Sequence, residues 1–302
     1  MTLQKSFLPA ILIVILSAAC NLGDIQSAFV PEPTATPTAT PTPTSTPVPL
    51  AARVNGEGIP LEEFEHEIVR FELAQQRLGN DLAALGDYRR LVLQSMIEER
   101  AAAQAAESMG RAVLDDQIDA VVETVRQARG GDAGFQAWLA ENAYSADEFR
   151  RAIRRQLLVQ AAADGIAAQV PASAEQVHAR HILVGNRELA DSIMNQILSG
   201  ADFAELARNH SQDFSTNASG GDLGWFPRGI LTVAELEAAA FSLQPDQTGP
   251  VVQSRFGFHI VQTLAREASR PLTPAMLESL RQKAVKDWLA QLLQSATVEI
   301  FI

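Results

Sequence analysis

The sequence of 302 residues contains a single cysteine, Cys20, and that scarcity already narrows the possibilities. One thiol cannot close an internal disulfide, and it has no partner cysteines for a metal site. Positive charge is also in short supply: 24 Lys and Arg stand against 36 Asp and Glu, giving a formal net charge of −12 with the cations scattered along the chain. A surface for nucleic acid would need a basic patch or an excess of Lys and Arg, so nucleic acid is not an expected partner. No apolar run reaches the length of a membrane-spanning helix. The longest, Phe7 to Leu16, follows Lys5 and precedes Ser17-Ala18-Ala19-Cys20. A charged start, a short apolar core and small residues before a cut site describe an export signal over residues 1–19.

Those small residues before Cys20 also resemble the bacterial lipobox, with Ser17 standing where Leu is more usual. The resemblance implies cleavage before Cys20 and lipid attachment to it. Residues 31–49, PEPTATPTATPTPTSTPVP, offer almost nothing to bury and read as an extended spacer within a linker over 20–51. In polyproline geometry at ~3.1 Å per residue the spacer would reach roughly 60 Å.

Folded sequence is expected from about Ala52. A short strand and turn at Arg53 to Ile59 leads into a helix whose apolar positions include Phe64, Ile68, Phe71 and Leu78. Further helices are predicted over Tyr88 to Met109, Asp115 to Arg129, Phe135 to Asn142 and Ala146 to Gln169, making residues 52–170 a helical domain. After Pro171 the texture changes. Val177 to Val184 has strand character, Glu188 to Leu198 and Phe203 to Asn209 are helical, and a Ser, Asn and Gly-rich loop follows. Val233 to Phe241 reads as helix, and Val251-Val252 and Phe258 to Val261 as strands. The order β-α-α-β-α-β-β predicts an α+β domain over 171–268 with a small mixed sheet. Pro274 to Ala296 is helical again, with an apolar stripe of Leu277, Leu280, Ala284, Trp288 and Leu292. Segment 269–302 is expected to return to the helical domain, which makes that domain discontinuous; dimerisation through the stripe is the alternative.

The α+β segment resembles the parvulin-type (PpiC) peptidyl-prolyl cis/trans isomerases. The resemblance is carried, in order, by Ala179-Arg180-His181-Ile182-Leu183-Val184, Gly200 to Ala207, Ser211-Gln212-Asp213, Gly220 to Phe226, Arg228-Gly229, Gly249-Pro250-Val251 and Phe256 to Val261. The helical segment is similar in plan to SurA and PrsA type foldases, in which helical chaperone segments flank an isomerase domain. The resemblance implies that His181, Asp213 and His259 form the catalytic group and that Leu223, Phe226, Leu231 and Leu236 receive the proline ring. Leu236 stands where an aromatic is common and Leu231 where Met is common, so the slot stays apolar with an altered shape.

An X–Pro bond crosses a barrier of ~18–20 kcal/mol because its partial double-bond character is lost midway. Its catalysis requires no metal, cofactor or nucleophile, only an apolar slot and polar groups that favour the twisted amide. His181, Asp213 and His259 are also zinc-ligand types, but no HxxxH or cysteine pairing accompanies them. Gly220 to Gly224 lacks the Lys-Ser/Thr ending of a phosphate loop. The loop after the first strand, Gly185 to Glu188, has no basic cluster to direct the enzyme to phosphate. The implied function is a lipid-anchored isomerase and foldase at the outer face of the cytoplasmic membrane, acting on unfolded or partly folded exported proteins with X–Pro bonds. The alternative is a non-catalytic holdase that uses the parvulin fold as a peptide-binding scaffold, the two histidines being hydrogen-bonded core residues.

Overall fold

The computed structural model describes residues 48–302; the export signal 1–19, Cys20 and most of the linker 20–51 lie outside the described residues. The chain divides into two compact units, one running to Ala162 and including Leu289–Ile302, the other Ala163–Trp288.

The first unit opens on strands β1 (Leu50–Val54) and β2 (Glu57–Pro60), paired antiparallel with Val54 opposite Glu57. Asn55 and Gly56 between them both take positive φ, 49° and 90°. That is the conformation a two-residue hairpin loop needs, and Asn-Gly reaches it at low cost. Helices α1 (Leu61–Arg77), α2 (Tyr88–Ser108), α3 (Asp115–Ala128), α4 (Asp132–Glu141) and α5 (Ala146–Ala167) follow. Helical spacing puts Phe64 and Ile68 of α1 and Val92, Leu93, Met96 and Ile97 of α2 into one core with Ala51, Val54 and Ile59 of the hairpin. Around it, Glu63 accepts from Arg155 at 2.9 Å and Arg100 at 3.2 Å, and Arg155 also donates to Glu99 at 3.2 Å.

The last residues belong to this unit. Helix α9 (Pro274–Ser295) lies in the second unit up to Trp288; from Leu289 on, Leu292 and Leu293 pack against the core of the first, and strand β8 (Val298–Ile300) pairs with the free edge of β1. The sheet order is β2-β1-β8, with Ala52 opposite Ile300 and Val54 opposite Val298.

The second unit contains β3 (Ser173–Val184), α6 (Arg187–Leu198), α7 (Phe203–His210), β4 (Asp222–Pro227), α8 (Ala234–Ser242), β5 (Gln247–Thr248), β6 (Val252–Ser254) and β7 (Gly257–Pro271). Every pairing is antiparallel, in the order β4-β3-β7-β5 with β6 also on β7. Helices cover both faces, giving the α+β architecture three layers. Ile182, Val184 and Ile260 face α6 and α7 and pack with Ala190, Ile193, Phe203 and Leu206. Val177, Ala179 and Val261 face α8 and pack with Phe226, Leu236, Ala240 and Phe241.

Both central strands outrun their sequence signal. β3 begins at Ser173 and β7 continues to Pro271, pairing Ser173 with Pro271. Their outer halves are rich in Ser, Glu, Gln and Arg, residues that do not announce a strand but are tolerated where one face meets water.

Candidate active site

Alternation along a strand sends every second side chain to the same face. His181 on β3 shares the parity of Val177 and Ala179, and His259 on β7 shares that of Val261, so both imidazoles point to the α8 face. In the β3–β7 register His181 lies opposite Val261 and His259 opposite Leu183, one step along the ladder. The rings lie nearly parallel, 14° apart, with Nδ1 to Nδ1 at 3.3 Å. Both residues are buried, His181 3% and His259 1% exposed.

Asp213 is delivered by the end of α7. The Asp202 carboxylate caps that helix by accepting from the Glu205 amide at 2.7 Å, and Phe203, Leu206 and Ala207 seat it in the core. Past His210 the chain turns extended. Gln212 donates its amide to the Leu183 carbonyl at 2.7 Å, and the Ser211 hydroxyl accepts from the amides of Leu183 and Asp213. These ties hold the loop against β3. Asp213 Oδ2 then accepts from His181 Nε2 and from the Thr216 hydroxyl, each at 2.7 Å. Its Oδ1 accepts from the Ser215 hydroxyl at 2.6 Å and the Ser215 amide at 3.1 Å.

At the other end of the histidine pair, His259 Nε2 lies 2.7 Å from the Ser254 hydroxyl, which itself accepts from the Phe256 amide at 3.1 Å. With both rings neutral, one arrangement of protons satisfies all these contacts. An ionised Asp213 only accepts, so His181 carries its proton on Nε2 and accepts at Nδ1. His259 therefore carries its proton on Nδ1, accepts at Nε2, and Ser254 donates. The result is a directed chain, Ser254 to His259 to His181 to Asp213.

Burial alone would raise the Asp213 carboxyl. The hydrogen bonds from Ser215, Thr216 and His181 outweigh it and hold the group well below the usual carboxylate range. Burial, together with the neighbouring His181, pushes His259 down from 6.5 to about 4. Because its folded value lies below the ordinary one, the unfolded chain binds more protons between these two pH values. This contribution to stability is complete above about pH 6.5 and is lost as pH falls to about 4. At ~1.4 kcal/mol per pH unit the interval is worth up to roughly 3 kcal/mol. Urea unfolding from pH 7 to pH 4 is expected to show that loss in wild type and not in His259→Phe; equal losses in both would assign it elsewhere.

The four apolar candidates belong to one cluster on the same face of the sheet. Phe226 on β4 and Leu236 on α8 are buried in it, and Leu223 on β4 and Leu231 in the β4–α8 loop are partly exposed at its surface. Gly221 seats the loop before β4 on the first histidine's own backbone, its carbonyl accepting from the His181 amide at 2.9 Å. Of the other histidines, His178 bonds Asp222 and His66 bonds Glu148. Ser254, Ser215 and Thr216 are the participants that sequence reasoning missed. The available signal was a hydroxyl in β6 near the position facing His259, visible once the β6–β7 hairpin pairs Val252 with His259.

Comparison with known proteins finds two families along the chain. The SurA-like N-terminal domain family matches residues 4–163, and the PPIC-type PPIASE domain matches residues 167–267. A protein named chaperone SurA from Dechloromonas aromatica is 40% identical over 146 residues, covering 43% of this chain and 33% of that protein. Foldase protein PrsA from Caldanaerobacter subterraneus subsp. tengcongensis is 33% identical over 135 residues, 43% of this chain and 44% of that one. The chain thus spans less than half the length of these two curated relatives. The crystal structure of PrsA from Bacillus anthracis superimposes with a TM-score of 0.44 at 28% identity, covering 67% of this chain and 94% of that chain. With the family match extending over more than half of the sequence, the chain belongs to the SurA-like N-terminal domain family and carries a PpiC-type domain after that segment.

Proposed function

We propose that this protein is a peptidyl-prolyl cis/trans isomerase and foldase that assists exported proteins outside the cytoplasmic membrane, held there by lipid on Cys20. Its clients are unfolded or partly folded chains containing X–Pro bonds. Among the described residues no helix is long and apolar enough to cross a membrane, so the proposed attachment rests on Cys20 and the export signal. The observation that carries the isomerase reading is the unbroken chain from Ser254 through both histidines to Asp213, set on the sheet face that also bears the apolar cluster.

The chemistry follows from what a prolyl bond needs. Halfway through rotation the amide loses conjugation, the nitrogen lone pair localises and the carbonyl polarity changes. Leu223, Phe226, Leu231 and Leu236 receive the proline ring and exclude water from its bond. His181, His259 and Asp213 present preorganised dipoles and one fixed charge to that bond without reorganising as it twists. Burial keeps the His259 imidazole neutral into mildly acidic pH, which preserves its acceptor at Nε2 for Ser254. No covalent step is involved, and no residue needs to change protonation during turnover.

The test is a refolding assay on a protein whose slow phase is set by prolyl isomerisation, an uncatalysed process of tens to hundreds of seconds. The slow phase is expected to accelerate in proportion to added protein. A rate constant that does not move across a wide concentration range would sink the proposal.

A further inference from the structure

The β4–α8 loop carries Ile230 and Leu231, which pack on Phe226 and Leu236 in the proposed proline slot. Neither strand nor helix hydrogen bonding fixes this loop. β4 ends at Pro227, and α8 starts at Ala234. Its amides converge instead on one carboxylate oxygen. Glu237, in the first turn of α8, accepts at Oε2 from the Gly229 amide at 2.8 Å and the Leu231 amide at 3.3 Å. The loop is also held from two other sides. The Arg228 guanidinium lies 4.1 Å over the Phe241 ring. A Cβ on Gly229 would stand 3.2 Å from Lys283 Cδ, so that side of the loop is already filled by α9. Gly229 has φ of +86°, a backbone shape that leaves its N–H turned to the carboxylate and that other residues rarely adopt.

We infer that Glu237 is a positioning residue that holds Leu231 in the wall of the proline slot and thereby sets affinity for the proline ring. The inference rests on the isomerase reading for the identity of the slot's occupant. It assigns Glu237 no contact with the His181–Asp213 group, so its removal acts on binding rather than on the twisting step. A charged acceptor shared by two amides is among the stronger ties available to a loop, and alanine leaves both donors without it.

The experiment uses the full chain and a short peptide with one Ala–Pro bond, whose Kd is read by NMR titration alongside exchange rates of the Gly229 and Leu231 amides. Glu237→Ala is expected to weaken the peptide about tenfold and to speed exchange at both amides. Its turnover at saturating substrate stays within about twofold of wild type, as for loss of uniform binding. Glu237→Gln keeps a carbonyl oxygen as acceptor and is expected to stay near wild type. Leu231→Ala provides an independent handle if Glu237→Ala folds poorly: if Glu237 acts through Leu231, combining Leu231→Ala with Glu237→Gln or Glu237→Ala adds little to the loss from Leu231→Ala alone. Unchanged Kd in Glu237→Ala, additive losses in the double variant, or a Gln variant as weak as Ala would each overturn the inference. Wild-type protein that binds the peptide yet never accelerates refolding refutes the isomerase proposal instead, and the Kd series still reads the role of Glu237.

Discussion

Asp213→Ala is expected to reduce catalysis of a proline-limited refolding phase by ~10²-fold, the scale on which removal of one preorganised electrostatic group is felt. The side chain is the terminus of the hydrogen-bond chain and its only fixed charge. Without it His181 Nε2 loses its acceptor, the tautomer of His181 is no longer imposed, and through Nδ1 the orientation of His259 relaxes as well. The fold should survive, because Asp213 is partly exposed and the loop keeps its ties through Ser211 and Gln212. Circular dichroism should therefore be unchanged while the slow refolding phase returns to its uncatalysed rate. Retention of full isomerase activity would remove Asp213 from the site. The pH behaviour follows from the lowered carboxyl. An acid whose folded value lies below its ordinary 3.8 contributes stability that is complete above that pH and is lost as pH falls through the folded value. Wild-type activity is thus expected to remain insensitive to Asp213 titration until well below pH 4, approximately the ordinary carboxylate range.

Gly221→Ala is expected to destabilise the second unit by about 2–5 kcal/mol, measured as a shift in urea midpoint. Two independent costs add. Gly221 has φ of +82°, where an L side chain carries a penalty of ~1–2 kcal/mol. The new Cβ would also lie 2.1 Å from the His181 carbonyl oxygen, an impossible approach that only a backbone shift can relieve. Such overpacking costs typically ~1–3 kcal/mol. The shift would act on the strand residue that carries the first imidazole, so activity should fall further than stability alone predicts. A variant with wild-type stability would mean that this loop adjusts freely and that the Gly220-Gly221 pair does not position His181.

Both expectations bear on how much could be read without coordinates. The helices of the first unit were legible because Phe64 and Ile68, or Val92, Met96 and the alanines of α2, recur at helical spacing and the breaks carry glycine. The first strand and its turn at Asn55-Gly56 were legible, but the second strand that closes the hairpin was not. Strand β8 was not: Val298 to Ile300 is three residues long and pairs with a strand nearly 250 residues earlier, and no local pattern encodes a partner at that separation. The same limit hid the outer halves of β3 and β7, whose polar residues are stabilised by each other across the ladder rather than by a buried face.

At the site the division is sharper. Residue type and local order by themselves placed histidine on two strands and an acidic residue after a short helix, and the resemblance to parvulins implied which apolar residues would receive a proline ring. They also determined a negatively charged chain without disulfides, because those are properties of composition. Only the tertiary structure decided that His181 and His259 meet at their Nδ1 atoms, that Asp213 rather than another of the 36 acidic residues closes the chain, and that Ser254 stands at its other end. The physical reason is that hydrogen bonds join atoms held within about 3 Å. Strand register and loop path set such distances over separations of 5 to 78 residues, and neither is written in any one segment.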